Sequence, residues 1–491
     1  MIYRTNLAIK LTRLGFFYYS LIIMYVIILG AGRVGSQLAR QLIAEKKDVA
    51  LIERDPDKAR DAANKMDCLV INDEGNNIES LTKAGIQKAD VFVSVTASDE
   101  INLISCGLVS AEFENVVTIA RVRNLDYSRT KMISNSFLGI DHVINPEIEA
   151  ARIISYAVSH GARSDIMLFE NTSLQMRNLT IRQDSDFHNK SLKNIRQELD
   201  FAFLVAAVMR NDHYIIPSGE TVIKEGDELY LISTEKGFET IFQLENQENI
   251  EINRIVIIGG GHITSYVAEE MLQQEGNGHS LPGLSRLSRF FMRKDKKQLH
   301  IIEKNYERCK ELAERFPQAL ITHADVTEDH FQEEEFLNNT DLIITATNNQ
   351  ELNIVTGIYA KTRGVSKALA LVTRNSYRTM AHNLNVDMTV CLNDTVVNSI
   401  LKIVRKGNFK NVHALSGGKL EVIEFQLGNE SLINGKKISD IKLPSNSLII
   451  FISHEGDDII PTGNTVVQNG DNLVMILERS SITKIESIIG A

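Results

Sequence analysis

Cysteine is scarce in this chain of 491 residues, and its four copies show neither CxxC nor mixed Cys/His spacing. A metal centre or a disulfide framework needs clustered or paired cysteines, so we expect buried, reduced thiols of a cytosolic protein instead. A nucleophile elbow, a Walker A loop and a metal-binding motif are lacking as well. The four cysteines are Cys68, Cys106, Cys309 and Cys391.

The sequence also lacks a surplus of positive charge. Its 53 Lys and Arg against 63 Asp and Glu give a formal net charge of −10. A phosphate backbone selects for a basic face, so we expect no nucleic-acid partner. Hydrophobic residues at 43% and charged residues at 24% are ordinary for a globular protein and argue against global disorder.

A long hydrophobic run is lacking too. The run at residues 16–29 has 14 residues before Gly30, whereas a membrane-spanning helix needs about 20. With the basic residues before it, this run superficially resembles a signal peptide, but its second half leads into a glycine-rich turn and is predicted to be a buried strand. We therefore predict that residues 1–23 are an N-terminal extension, either from an upstream start codon or as a disordered tail. A membrane anchor is the alternative.

The chain repeats itself in the order A–B–A–B. The A units open with VIILGAGRVG at 26–35 and IVIIGGGHIT at 255–264, which lie 229 residues apart. The B units share IIPxGxTV and GDxL at 215–229 and 459–473, which lie 244 residues apart. Alternating strand and helix patterns in unit A predict a parallel sheet covered by helices on both faces. Short alternating runs and Gly-Asp turns in unit B predict a small α+β module.

These patterns predict an α/β fold with two tandem Rossmann-like parallel-sheet domains, each followed by a small α+β lobe. The predicted boundaries are 24–150 and 164–247 for the first pair, and 252–390 and 408–491 for the second. An insertion is predicted at 276–298. It carries six Arg and Lys residues among apolar ones, so we interpret it either as a contact with anionic lipid or the membrane partner or as a solvated, mobile loop.

The first glycine-rich turn has the context of a dinucleotide site. The motif Gly30-x-Gly32-x-x-Gly35 follows a predicted strand and opens a helix. Gly30 permits the tight turn, Gly32 lets the backbone approach a pyrophosphate, and Gly35 lets helix and strand pack closely. Glu53 ends the next strand, where it can accept hydrogen bonds from ribose hydroxyls and repel a 2′-phosphate, which favours NAD or an adenosine nucleotide over NADP. A tight turn without a ligand is the alternative.

Other candidates follow later strands of the first unit. Thr96 and Ala97 come directly after the fourth strand, where they are expected to line the adenosine. Arg121 ends the next strand and is placed to pair with phosphate oxygens. Ordinary loop capping and a surface salt bridge are the alternatives.

The second unit repeats the pattern with one change. Gly259–Gly261 form its turn and Glu303 ends its next strand, but Thr264 replaces the third glycine and would crowd the helix–strand contact. Nucleotide binding and a purely structural repeat therefore stay equally open for this unit.

An enzyme is not expected. A dehydrogenase needs a substrate domain with a positioned acid–base group. Unit B is small, and its His188 and His213 stand alone. A binding module that is repeated without a catalytic domain suggests a protein whose conformation is controlled by its ligand. An NAD(P)-dependent oxidoreductase is the alternative.

From residue 24 onward the chain resembles the TrkA-type regulatory subunits of Trk potassium-uptake systems, which are tandem pairs of RCK modules. The A–B–A–B order, VIILGAGRVG, VTASDEIN at 95–102, ARVRN at 120–124, DHVINPE at 141–147 and the twin IIPxGxTV endings carry the resemblance. Residues 1–23, Thr264 and the insertion depart from the pattern.

The resemblance implies a peripheral protein on the cytoplasmic face of the cell inner membrane. It would form a homo-oligomeric ring, a tetramer, beneath a potassium-translocating membrane subunit of the Trk type, bind NAD (NAD+/NADH) and ATP/ADP, and gate transport. An RCK regulator of another potassium channel or transporter is the alternative. The implied nucleotide contacts are Gly30, Ala31, Gly32, Arg33, Val34, Gly35, Glu53, Thr96, Ala97 and Arg121, then Gly259, Gly260, Gly261, His262, Ile263 and Glu303.

Overall fold

The computed structural model describes most of the chain from residue 24 to 489. The segments outside the described residues are 1–23, 125–126, 128–137, 160–166, 170–171, 200, 212, 246–251, 273–296, 329–336, 338, 406–408, 416–419, 430, 455–456 and 490–491. The predicted N-terminal extension thus lies outside the described residues, as does the predicted insertion except for residues 297 and 298.

The chain divides into two compact units, residues 1–143 and 144–491. The first contains a parallel sheet with its helices. Its elements, together with the strand that ends at the boundary, are β1 (Tyr25–Leu29), α1 (Arg33–Ala44), β2 (Asp48–Glu53), α2 (Pro56–Lys65), β3 (Leu69–Asn72), α3 (Ile78–Lys83), β4 (Val91–Ser94), α4 (Asp99–Glu112), β5 (Val117–Arg121) and β6 (His142–Ile144).

The first sheet has the strand order β3-β2-β1-β4-β5-β6. Strand β1 lies between two parallel neighbours, and its Leu29 is in register with Ile52 of β2 and Ser94 of β4. Because β1 and β4 are apolar and buried throughout most of their length, helices must cover both faces of the sheet. Strands β2 and β3 lie on one side of β1, and the chain then crosses over to place β4, β5 and β6 on the other side. The carboxyl ends of β1, β2 and β4 therefore form the edge where such sheets bind ligands.

The second unit begins with helix α5 (Pro146–Ser159) and a first antiparallel lobe. The elements of this lobe are β7 (Met167–Leu168), β8 (Leu174–Thr180), α6 (Leu192–Glu198), β9 (Leu204–Arg210), β10 (His213–Ile215), β11 (Glu228–Thr234) and α7 (Glu235–Leu244).

A second parallel sheet follows. Its elements are β12 (Arg254–Ile258), α8 (His262–Leu272), β13 (Gln298–Glu303), α9 (Tyr306–Arg315), β14 (Leu320–His323), β15 (Leu342–Thr345), α10 (Gln350–Thr362), β16 (Lys367–Val372), α11 (Asn375–Asn383), β17 (Met388–Cys391) and α12 (Leu392–Val404). Its strand order, β14-β13-β12-β15-β16-β17, reproduces that of the first sheet, and all its pairings are parallel.

The last antiparallel lobe reproduces the first. Its elements are β18 (Phe409–Ala414), β19 (Leu420–Gln426), β20 (Ser447–His454), β21 (Asp457–Ile459), β22 (Asn472–Glu478) and α13 (Ile482–Ile489). The two antiparallel sheets have the orders β7-β8-β11-β9-β10 and β18-β19-β22-β20-β21, which correspond strand for strand. Two parallel sheets, each followed by an antiparallel lobe, confirm the predicted fold class; the numbered domain boundaries stay predictions.

The two antiparallel lobes share one hydrophobic core. Each lobe packs one face of its sheet on its own helix, and the other faces meet, because buried residues of β8, β9 and β11 form a single cluster with buried residues of β19, β20 and β22. At its centre the rings of Phe169 and Phe451 meet edge to face, with centroids 4.8 Å apart. A hydrogen bond from the main-chain N–H of Ser173 to Asp458, 2.7 Å long, joins the lobes at the rim.

Helix α5 packs against α8 and α12 of the second parallel sheet. Its Glu149 accepts a hydrogen bond of 2.9 Å from the hydroxyl of Ser399 and pairs with Arg152 at 2.7 Å. None of the helices in the described part of the chain is long and apolar enough to cross a bilayer.

We predict that Phe451→Ala destabilises both antiparallel lobes together. Phe451 is fully buried in their shared core, and truncating a buried Phe costs about 3–5 kcal/mol. Hydrogen exchange measured peptide by peptide should show lost protection in β8, β9 and β11 as well as in β19, β20 and β22. Leu432→Ala, at a side chain that is 64% exposed, is the control and should change neither. Lost protection confined to the last lobe would contradict the shared core.

Candidate functional site at the glycine turns

The first glycine turn joins β1 to α1, and packing explains only two of its three glycines. Gly30 has a φ of +104°, in the left-handed region that glycine adopts readily. A Cβ at Gly35 would collide with the carbonyl oxygen of Gly30. At Gly32, which caps the start of α1, an added Cβ would meet no atom within 4 Å. The fold therefore demands Gly30 and Gly35, whereas the open side of Gly32 suits the close approach of a ligand.

The carboxylate of Glu53 holds this turn from the end of β2. It is only 8% exposed. Its Oε2 accepts a hydrogen bond of 2.7 Å from the N–H of Ala31, and its Oε1 accepts one of 2.9 Å from the N–H of Asp55. Each carboxylate oxygen has a further lone pair, so the group retains acceptor capacity for hydroxyls of a ligand.

A buried amide, Asn102 in α4, connects the ends of β4 and β5. Its Oδ1 accepts hydrogen bonds from the N–H and hydroxyl of Thr96, at 2.8 and 2.7 Å, and from the hydroxyl of Ser94 at 2.9 Å. Its Nδ2 donates to the carbonyl of Arg121 at 2.8 Å. The sequence analysis placed Thr96 and Arg121 at this edge but missed the residue that joins them.

The loops after β4 and β5 are tied together a second time. Asp99 Oδ2 accepts hydrogen bonds from the N–H groups of Arg123, at 2.9 Å, and Asn124, at 2.7 Å. The guanidinium of Arg123 in turn donates to the carbonyl of Ala97. The main chain at the candidate Ala97 is therefore fixed by Arg123, a second residue that the sequence analysis missed.

The ten first-unit candidates all lie at the carboxyl ends of β1, β2, β4 and β5. Their exposures differ, because Arg33 is exposed at the start of α1 whereas Val34 is 3% exposed and packs into the core. The side chain of Arg121 is half-buried at the end of β5. A ligand at this edge would meet the main chain of Val34, but side chains of Arg33 and Arg121.

The second glycine turn repeats the first in its main features. Gly259 has a φ of +99°. Glu303 accepts hydrogen bonds from the N–H groups of Gly260, at 2.6 Å, and Asn305, at 2.7 Å. At Gly261, as at Gly32, an added Cβ would meet no atom within 4 Å.

The buried amide is repeated as well. Asn353 accepts hydrogen bonds from the N–H and hydroxyl of Thr347, at 3.0 and 2.7 Å, and donates to the carbonyl of Leu371 at 2.9 Å. Of the remaining candidates, His262 is exposed and Ile263 is buried.

Thr264 and Arg308 distinguish the second turn. Thr264 is buried, and its hydroxyl donates a hydrogen bond to the carbonyl of Gly259. The threonine that replaces the third glycine thus supplies a hydrogen bond across the turn. Arg308 donates from Nε to the carbonyl of Gly260 at 2.7 Å and from Nη2 to the hydroxyl of Ser265 at 2.8 Å. In the first turn the equivalent carbonyl, that of Ala31, accepts a hydrogen bond from the hydroxyl of Ser36 at 2.8 Å instead.

A cleft of about 430 Å³ lies between α1 and α2, beside the first turn. In the second parallel domain, a salt bridge of 2.9 Å between Glu269 and Arg315 joins the corresponding helices α8 and α9. The cleft is lined by Ala31, Ser36, Arg40, Asp55, Asp57, Lys58, Asp61, Ala62, Lys65 and Met66.

The thiols form no disulfide, and that of Cys309 donates to the main-chain carbonyl of Glu303 at 3.3 Å. All four cysteines are free; Cys68 is half-buried and the others are buried. Burial raises the pKa of the Cys391 thiol to about 11, which keeps it protonated at neutral pH. Within the described ranges, no three His, Cys, Asp or Glu side chains come together as metal ligands.

Comparison with protein-family models finds the TrkA-N domain at residues 26–146 and 285–392, and the TrkA-C domain at 176–245 and 422–490. The matched segments cover most of the chain, in the order that the repeats predict. The chain belongs to the TrkA family. Its relatives are named as potassium uptake proteins and not as enzymes, in agreement with the expectation from the sequence.

Two relatives show the extent of the match. The chain is 28% identical to "Trk system potassium uptake protein TrkA homolog 2" of Methanosarcina mazei, over 95% of this chain and 100% of the relative. It is also 28% identical to "Trk system potassium uptake protein TrkA" of Halomonas elongata, over 95% of this chain and 98% of the relative.

Two solved structures share the fold. The crystal structure of the GsuK RCK domain matches with a TM-score of 0.54 and 16% identity, over 95% of both chains. The GsuK channel bound to NAD matches with the same TM-score and identity, over 95% of this chain and 79% of that one. The RCK architecture of this TrkA-family chain is thus confirmed.

We predict that Gly35→Ala lowers the stability of the first parallel domain, whereas Gly32→Ala leaves its stability unchanged. Gly35→Ala forces a Cβ against the carbonyl of Gly30 and should lower the free energy of unfolding of the first unit by about 1–3 kcal/mol. Gly32→Ala meets no atom within 4 Å and should leave stability unchanged within about 0.5 kcal/mol. Denaturant unfolding monitored by hydrogen exchange in β1 and α1 measures both. Equal destabilisation by the two variants would contradict the packing argument.

Proposed function

We propose that this chain is a nucleotide-binding regulatory subunit of a Trk-type potassium uptake system, and that it gates potassium transport through a membrane partner. NAD, as NAD+ or NADH, is its principal ligand, and ATP and ADP are alternative ligands at the same edge. The protein acts at the cytoplasmic face of the cell inner membrane as a peripheral subunit. The shared TrkA family and the potassium uptake proteins among its relatives support this assignment.

The open side of Gly32 next to a buried, main-chain-bound Glu53 is the observation that carries the proposal. A pyrophosphate needs main-chain N–H groups at a helix start without an intervening side chain, and the start of α1 provides both. Glu53 would accept hydrogen bonds from the ribose hydroxyls. The GsuK channel, a solved structure with the same fold, has NAD bound.

The first site is the better candidate for the regulatory nucleotide. Arg121 stands at its phosphate side, whereas Val372 ends the corresponding strand of the second unit. In the second turn, Thr264 stands where the first turn has Gly35, and its hydroxyl donates to the carbonyl of Gly259. We propose that the second turn serves chiefly to preserve the repeat's shape, with Gly259 to Ile263 and Glu303 as its contacts where it does bind.

An oxidoreductase is a weaker candidate, because it needs an acid–base group facing a nicotinamide. His188 and His213 lie in the first antiparallel lobe, where Nδ1 of His188 contacts the main-chain carbonyl of Gln183 and Nδ1 of His213 contacts that of Asn211. A regulator of another potassium channel is favoured only by the shared RCK fold. Co-purification of the membrane subunit from the native host distinguishes the two regulatory assignments.

Regulation follows if the nucleotide binds two conformations of the assembly with different affinities. A coupling of about 1–3 kcal/mol changes the conformational ratio about 5- to 150-fold. The ligands differ beyond the shared adenosine diphosphate portion, so ATP's terminal phosphate and the second half of NAD are the groups that discriminate. Arg121 is positioned to sense the phosphates.

We predict that Glu53→Gln weakens NAD binding about 10-fold or more, because it removes the charge from the group that meets the ribose hydroxyls. Isothermal titration with NAD, ADP and ATP measures the change. Gly32→Ala should weaken binding by steric exclusion while preserving stability. Glu303→Gln is the matched control and should have the smaller effect.

In proteoliposomes that contain the membrane subunit, Glu53→Gln and Arg121→Ala should both reduce the response of potassium flux to nucleotide. Basal association with the membrane subunit should persist. An unchanged nucleotide response in both variants would refute the proposal.

The homo-oligomer is proposed on the basis of two equivalent exposed apolar residues. Ile104 on α4 is 54% exposed and Val355 on α10 is 62% exposed. Both occupy the same position of the repeat, two residues after the buried asparagine. An apolar residue repeated on the same helix face of both parallel domains suits a ring in which parallel domains of neighbouring copies of the chain pack together.

We predict that the double variant Ile104→Asp/Val355→Asp dissociates the proposed tetramer to smaller species, since burial of a carboxylate at an apolar contact is costly. Native mass spectrometry measures the assembly state. Leu432→Asp, at a comparably exposed residue outside the parallel domains, should leave it unchanged. A tetramer that persists in the double variant would exclude this face from the assembly.

A further inference from the structure

The two antiparallel lobes carry different basic residues at one equivalent position, where each binds a buried aspartate. Arg210 ends β9 and His454 ends β20, at corresponding positions of the repeat, 244 residues apart. Both side chains reach the aspartate of the Gly-Asp turn that precedes the next long strand. These aspartates, Asp227 and Asp471, are 0% and 2% exposed. The two lobes thus share a buried aspartate, but an arginine binds it in the first lobe and a histidine binds it in the second.

In the first lobe the base is permanently charged. Arg210 donates from Nε and Nη2 to Asp227, at 2.7 and 2.6 Å, and from Nη2 to the carbonyl of Val222 at 2.8 Å. Burial alone would raise the pKa of Asp227, but the Arg210 guanidinium and the N–H of Lys224 hold it below its usual value. Asp227 Oδ2 also accepts the N–H of Lys224 at 2.8 Å, which closes the turn.

In the second lobe the base is titratable. His454 Nδ1 contacts Asp471 Oδ1 within hydrogen-bond distance. Asp471 Oδ2 accepts the N–H of Gln468 at 2.7 Å, as Asp227 does from Lys224. The imidazole side chain is 43% exposed, so protons can reach it.

The surroundings of His454 are acidic. From β21, Asp457 is in register opposite His454, and the next residue, Asp458, accepts the hydrogen bond from Ser173. From β19, the buried Glu424 accepts a hydrogen bond from Asn472, which follows Asp471. No Lys or Arg among the described residues forms a salt bridge with Asp471, so protonated His454 is its cationic partner.

We propose that His454 and Asp471 form a proton-binding site that fastens the Gln468–Asp471 turn of the second antiparallel lobe at low pH and loosens it as the pH rises. A charged imidazolium binds the carboxylate by a charge-assisted hydrogen bond. Loss of the proton removes the ion pair and leaves at most a hydrogen bond from the neutral imidazole to the carboxylate, which is weaker. The first lobe lacks this response because a guanidinium stays charged. The inference is independent of nucleotide binding and adds a pH input that the proposed function does not contain.

Hydrogen exchange in the full-length protein tests the site with an internal control. The N–H of Gln468 reports the turn that His454 fastens, and the N–H of Lys224 reports the turn that Arg210 fastens. After correction for intrinsic exchange rates, protection of Gln468 should fall about 3- to 10-fold between pH 5.5 and 8, whereas protection of Lys224 should stay constant. Equal pH profiles at the two amides would overturn the proposal.

Variants that exchange the arginine and the histidine between the two lobes test whether these side chains cause the difference in pH dependence. His454→Arg should make Gln468 protection independent of pH, and Arg210→His should give Lys224 the pH dependence. His454→Gln, which is neutral at every pH, should hold Gln468 at its low-protection value throughout and remains informative if the arginine variant folds poorly. A pH-dependent Gln468 in His454→Gln would show that another group is responsible.

Discussion

A carboxylate bound to the main chain of a glycine turn, buried at Glu53 and half-buried at Glu303, is the constraint on which each parallel domain depends. Burial of a carboxylate is costly unless hydrogen bonds replace its water. Glu53 meets that requirement with the N–H groups of Ala31 and Asp55, and Glu303 does so with those of Gly260 and Asn305. Because each acceptor ends a central strand and each donor lies in a loop, the bonds fix the loops relative to the sheet. The edge is therefore shaped before any ligand arrives.

The glycine turns and their acidic partners were predictable from the sequence because each depends on local spacing. The fold class followed from the same patterns, repeated twice. The repeat pairs Asn102 with Asn353, since Thr96 precedes Asn102 by the same interval as Thr347 precedes Asn353, but their structural role was not predicted. An asparagine inside a helix is unfavourable by propensity, and its recurrence at equivalent positions indicates a structural hydrogen bond that joins neighbouring strands.

The shared core of the antiparallel lobes could not be predicted in the same way. Strand β9 is buried along most of its length, which indicates that both faces of its sheet are covered. That pattern does not identify what covers the second face. A helix, a second sheet or another copy of the chain would select the same apolar residues. Only the three-dimensional structure shows that Phe451 of one lobe meets Phe169 of the other.

The repeats also show how geometry is kept while chemistry changes. In the first antiparallel lobe Asn178 donates to Glu228 at 2.7 Å, and in the second Asn472 donates to Glu424 at 2.6 Å. The two pairs occupy corresponding positions with donor and acceptor exchanged. Two facing carboxylates would repel in this setting unless one took up a proton, so the amide and the acid must be matched as a pair. The replacement of Arg210 by His454 belongs to a different class, because the acceptor and its turn are retained and only the permanence of the charge is lost. A substitution of this kind keeps the hydrogen bond but makes the charge of the donor side chain depend on pH. Two lobes of the same topology can acquire different responses in this way.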